Sequence, residues 1–168
     1  MKLIAFDFDG TLSDSEMTVL LGRQMDVAEE MADITERAMN DELSYAESLR
    51  KRAALLEHLE AEDAEAAYGE VELREGAAEV IERLRERGHY VAVFTGGFAR
   101  GVAAALERAG TEVDEIVANR LPMEGGRLTG EVEGPLVEGT KDEQLERVAD
   151  EQGAPMSRTV AVGDGAND

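Results

Sequence analysis

The chain contains no cysteine, which removes disulfide frameworks and thiolate chemistry together. It lacks any run near the roughly 18 apolar residues that a membrane-spanning helix needs, so no membrane partner is expected. It has no internal repeat and no low-complexity stretch. Nothing at its start resembles an export signal. MKLIAFDFDG has one lysine and a very short apolar run before its acids, so it reads as a strand, and the cytoplasm is the expected location. Lysine is scarce: of 17 basic residues only Lys2, Lys51 and Lys141 are lysines, the rest being arginines.

Carboxylate is what the chain has in excess. Asp and Glu number 38, for a net charge of -21. Such a surface repels phosphate backbones, which excludes nucleic acid as a partner. It also repels anionic substrates, so any phosphate site must carry its own local positive charge. Excess acid with little lysine resembles proteins from cells that hold molar salt, where screening relieves carboxylate repulsion. With 43% apolar and 33% charged residues, the composition is that of a soluble globular protein. A length of 168 residues allows one domain with a real core and a small inserted unit.

Residues 2–8 form a short apolar run closed by Asp-Gly-Thr, which predicts a buried strand. Residues 14–68 then have helical spacing throughout: Val27, Met31, Ile34 and Ala38 repeat on one face, as do Leu49, Ala53, Leu56 and Leu59. Asn40 marks a break and Ser44 is a candidate N-cap. Met17, Met25, Met31 and Met39 are expected in the core of this segment, with Met39 also a candidate to line the pocket. From residue 70 the pattern alternates. Helices are predicted over 76–87, 98–109 and 140–152, strands over 90–94, 113–118 and 159–162, and a hairpin excursion over 121–134. The implied fold class is α/β: a Rossmann-like parallel sheet covered by helices, with a small inserted helical cap. The expected division is a core of 1–13 and 70–168, with 14–69 as the cap.

Ligands of open parallel sheets bind beyond the carboxyl ends of the strands. There the chain places Asp7, Asp9, Gly10 and Thr11 after the first strand, Thr95-Gly96-Gly97 after the second, and Asp164 to Asp168 after the fourth, with Lys141 opening the preceding helix. An Asp-Gly pair alone is an ordinary turn element. The order and strand-end placement of all four groups together carry the signal. Several aspartates at one edge call for a hard cation, and magnesium suits a site that also handles phosphate. Lys141 and the Thr95 hydroxyl are then candidate phosphate holders, with backbone N–H groups of the glycine turns as further donors.

DFDGT, a strand-end threonine, a lysine and GDGAND in this order resemble the four-motif signature of the haloacid-dehalogenase superfamily, and the helical insertion resembles its smaller cap. DFDGTLSDSE, SLRKR, FTGGF, ANRL and GRLTGEVEG resemble, more narrowly, the branch that hydrolyses O-phosphoserine to serine and phosphate. The resemblance implies that Asp7 is the nucleophile and Asp9 the general acid and base. It implies magnesium on Asp7, the main-chain carbonyl of Asp9, Asp164 and Asp168. It implies phosphate binding by Thr95, Gly96 and Lys141, with Asn167 in support. Glu16 would face the substrate ammonium and Arg52 its carboxylate. The expected partner is therefore a small phosphorylated amino acid.

Three other readings stand beside this one. They are the same chemistry on another small phosphomonoester or alcohol acceptor, a phospho-accepting signalling receiver, and a non-catalytic fragment that binds metal and phosphate. The receiver fits less well, because the central strand ends in Thr95 rather than an aspartate. The superfamily continues past its fourth motif by at least one more βα unit of about 30 residues. The expectation is thus a fragment whose last strand, residues 159–162, is apolar, buried on both faces and left at a sheet edge.

Overall fold

A computed structural model describes residues 1–163. Asp164, Asn167 and Asp168, named above as ligands, lie outside the described residues. The chain opens with β1 (Leu3–Phe6) and then runs through α1 (Met17–Arg23), α2 (Ala28–Met39), α3 (Tyr45–Ala54) and α4 (Ala61–Tyr68). It continues as α5 (Ala77–Glu86), β2 (Tyr90–Phe98), α6 (Ala99–Ala109) and β3 (Glu115–Asn119). A hairpin of β4 (Met123–Glu124) and β5 (Arg127–Leu128) follows, then α7 (Lys141–Glu151) and β6 (Thr159–Val162).

The main sheet has the order β3-β2-β1-β6, and all its pairings are parallel. Alternation divides its side chains. Ile4, Phe6, Val91 and Val93 point to the face covered by Ile81 of α5 and by Val102 and Leu106 of α6. Leu3, Ala5, Ala92, Phe94 and Val117 point to the other, where Val148 and Ala149 of α7 pack. Two layers of helix around a parallel sheet are the expected α/β arrangement.

The four helices between β1 and α5 do not pack by themselves. Met17, Leu21, Met31, Leu49, Leu56 and Tyr68 belong to the same apolar cluster as Phe8, Val93 and Phe98. Met17 ties the two parts directly, since its Sδ accepts the Phe98 N–H at 3.3 Å. Local signals set the helix starts. Ser44 Oγ accepts the Glu47 N–H at 3.1 Å. Thr140 and Glu143 form a reciprocal capping box at the head of α7.

Three expectations are corrected. The second strand does not stop at Thr95-Gly96-Gly97; β2 runs on to Phe98, which pairs with Asn119 after a register shift. Gly96 and Gly97 are not among the positive-φ glycines, so here they extend the chain instead of turning it. Met39 is 79% exposed, because it is the last residue of α2, a helix in which only Met31 is buried. The last strand is not buried on both faces: Val160 and Val162 are 41% and 38% exposed, and neither belongs to the apolar clusters on the two sides of the sheet.

Candidate active site

Asp7 is the first residue after β1, and its N–H is tied to the Val162 carbonyl at 2.9 Å. Lys141 is the first residue of α7, so the capping box that starts the helix also aims its side chain. Lys141 Nζ lies 3.0 Å from Asp7 Oδ1, with the two side chains only 21% and 12% exposed. In so acidic a chain this is local positive charge at the one edge where a phosphate site needs it.

Two residues further on, Asp9 has a different environment. Its pKa is raised to about 7, first by burial and next by the neighbouring charge of Glu16, with Asp7 adding to the effect. Asp9 Oδ2 receives only a long 3.5 Å contact from the Met17 N–H, and its buried Oδ1 has no hydrogen-bond partner. One carboxylate is thus paired with a cation while its neighbour is held near neutrality. Environments that differ in this way mark acid–base roles.

The expected phosphate residues are at the same edge. Thr95 is buried, and its Oγ1 accepts the Gly97 N–H at 3.0 Å. Gly96 lies so close beneath the ring of Tyr45 that an added Cβ would strike the Tyr45 hydroxyl. The Gly96 carbonyl accepts from Asn119 Nδ2 at 3.1 Å, and Asn119 Oδ1 accepts the Leu136 N–H at 2.9 Å. This fully buried side chain therefore braces the glycine stretch against the segment leading to α7.

Arg52 reaches the site from α3. It is buried to 9% exposure, with its Nε on the Ser48 carbonyl at 3.3 Å and Nη1 on Thr18 Oγ1 at 3.4 Å. Its charge lowers the pKa of both Asp9 and Tyr45. Glu16, at the head of α1, raises that of Asp9. Asp7, Asp9, Glu16, Arg52, Thr95, Gly96 and Lys141 therefore gather at one sheet edge. Thr18, Tyr45 and Asn119 were not singled out in the sequence. Nothing in local spacing marks Thr18 or Asn119, while Tyr45 had one signal, its place directly after the Ser44 cap.

Among the described residues no group of three or more Asp, Glu, His or Cys side chains gathers as a metal site. The donors present are nonetheless of the right type. The Asp7 carboxylate and the Asp9 main-chain carbonyl are hard oxygen donors, which magnesium prefers. No helix among the described residues is long and apolar enough to cross a membrane.

The family model for haloacid dehalogenase-like hydrolases matches residues 4–168, and the chain belongs to that family. Magnesium dependence is general to it. The phosphoserine phosphatase of Halobacterium salinarum is 53% identical over all of this chain and 80% of that protein. The phosphoserine phosphatase of Methanocaldococcus jannaschii is 45% identical over 99% of this chain and 79% of its own length. Among solved structures, a phospho-aspartyl intermediate analogue of phosphoserine phosphatase superposes with a TM-score of 0.90 at 45% identity. It is matched over 99% of this chain and 79% of that one. A substrate-bound phosphoserine phosphatase complex does so with a TM-score of 0.90 at 44% identity and the same coverage.

Proposed function

We propose that the chain hydrolyses O-phosphoserine to serine and inorganic phosphate through an aspartyl-phosphate on Asp7. The observation that carries this reading is the contrast between Asp7, paired with Lys141 at 3.0 Å, and Asp9, held at about 7 two residues away. An ionised carboxylate can attack, and a neutral one can give a proton. The similarity to relatives named for this activity supports the substrate.

In the first step Asp7 attacks phosphorus and the bond to the serine oxygen breaks. Asp9 delivers its proton to that oxygen. In the second step water attacks the same phosphorus, Asp9 takes the water proton, and the Asp7–phosphorus bond breaks to release phosphate. Lys141, Thr95 and the N–H groups around Gly96 hold the phosphoryl oxygens. Arg52 takes the substrate carboxylate, where a guanidinium fork fits bidentately, and Glu16 takes the ammonium. Magnesium on Asp7 and Asp9, with Asp164 and Asp168, would offset the charge of the carboxylates and the phosphoryl group. Residues 14–69 form the cap in this reading, and the rest forms the catalytic core.

Phosphate release from O-phosphoserine, compared with phosphoethanolamine and a simple alkyl phosphate in the presence of magnesium, tests the proposal. Preference for O-phosphoserine is expected, and equal rates on all three would favour a general phosphomonoesterase. The net charge of -21 further supports a salt-rich cytoplasm as the working environment, where screening relieves repulsion. A melting temperature that rises toward molar potassium chloride is the expected result, and one indifferent to salt would reject this.

A further inference from the structure

We propose that Tyr45 contacts the substrate directly, its hydroxyl donating a hydrogen bond to the phosphoryl group held by Lys141, Thr95 and the N–H groups around Gly96. This rests on the phosphoryl site described above and adds to it a donor supplied by the helical segment. Tyr45 is the first residue of α3, so the Ser44 cap fixes where its ring leaves the helix. The hydroxyl lies over Gly96, where even a methyl group would collide with it. Arg52, Lys141, Asp9 and Asp7 all act electrostatically on it. The residue as a whole is 41% exposed, yet burial is the largest influence on the hydroxyl and raises its pKa. The hydroxyl end of the side chain packs against the Gly96 backbone. The tip stays protonated and remains a donor.

Among the described residues the Tyr45 hydroxyl makes no hydrogen bond, and the nearby Asp9 Oδ1 is likewise without one. A hydroxyl left without an acceptor is unfavourable. A phosphoryl group beside it, held by Lys141 and Thr95, supplies that acceptor. The phenol would then do for the substrate from the cap side what Lys141 does from the core.

Tyr45→Phe keeps the ring and removes only the donor, so its melting temperature should match that of the unaltered protein. Titration calorimetry with inorganic phosphate and magnesium should show affinity weakened about tenfold, as for loss of a hydrogen bond to a charged group. Inhibition by L-serine should be unchanged. In the unaltered protein, labelled at the tyrosine ζ-carbons, the Tyr45 resonance should move on adding phosphate while those of Tyr68 and Tyr90 stay. Equal phosphate affinity in the two proteins would overturn the proposal. So would an equal weakening for L-serine, or a Tyr45 resonance that ignores phosphate. Tyr45-dependent phosphate binding without any release from O-phosphoserine would sink the substrate reading and leave this contact standing.

Discussion

The sheet edge and the helical segment furnish the site in different ways. Asp7 and Thr95 leave the sheet backbone directly, and Lys141 leaves a helix start locked by two reciprocal hydrogen bonds. Their side chains are short or tightly paired, so their positions follow from the β-ladder. Arg52, Tyr45 and Glu16 come from α1 and α3. Arg52 hangs on bonds of 3.3 and 3.4 Å, and Tyr45 reaches the site with no hydrogen bond among the described residues. Groups that break and make bonds sit on the rigid part, and groups that recognise sit on the part whose hold is looser. Catalysis tolerates little misplacement, whereas recognition can tighten when the ligand arrives.

The sharpest way to break this division is at Asp7. Asp7→Asn should lower phosphate release at least about a thousandfold, as removal of a nucleophile does, while circular dichroism stays unchanged. Near-normal turnover would remove the mechanism. Asp9→Asn should cost about a hundredfold to a thousandfold, in the range of a lost general acid. It should also leave a mark on stability. The folded protein keeps the Asp9 proton up to about pH 7, whereas a free aspartate loses it near 3.8. The unfolded chain therefore binds fewer protons between these values, and stability falls as pH rises through that window. In metal-free protein, denaturant titrations of Asp9→Asn should lack this decline and show a gain of about 1 kcal/mol or more above pH 7. An unchanged pH profile would place the proton elsewhere.

Effects in the helical segment should be smaller and selective. Arg52→Ala should reduce kcat/KM for O-phosphoserine by about thirtyfold to a hundredfold and that for phosphoethanolamine much less. Equal losses would make Arg52 a structural residue. Thr18→Val removes the hydroxyl that receives Arg52 Nη1 and should raise KM for O-phosphoserine about threefold, with kcat kept. Thr18→Ser should restore it, and a fall in kcat instead would tie Thr18 to the chemistry.

The same division decided what could be read from the sequence. The parallel sheet, the helical insertion and the strand-end residues follow from periodicity and from where the apolar runs stop, which are local signals. Ser44 and Gly110, with its left-handed φ of 69°, ended or began helices as their chemistry suggests. The misses came from longer-range packing. Thr95-Gly96-Gly97 resembles a turn in any local window, and only Asn119, 22 residues beyond Gly97, shows that it is strand. Tyr45 and Thr18 are ordinary helix residues until α1 and α3 are folded over the sheet. Met39 keeps the helical rhythm of Met31 loosely enough that its sequence position did not reveal its exposure.

Although β2 continues through the glycines, its register with β3 shifts between Thr95 and Phe98, so this stretch is held by side chains as well as by the ladder. In hydrogen-exchange terms, the Gly97 amide, bonded to Thr95 Oγ1 at 3.0 Å, and the Phe98 amide, bonded to Met17 Sδ at 3.3 Å, should exchange slowly for as long as those contacts hold. Amides at the head of α3 should exchange much sooner. Such a difference would mean that substrate meets a floor that stays folded for longer than the roof above it.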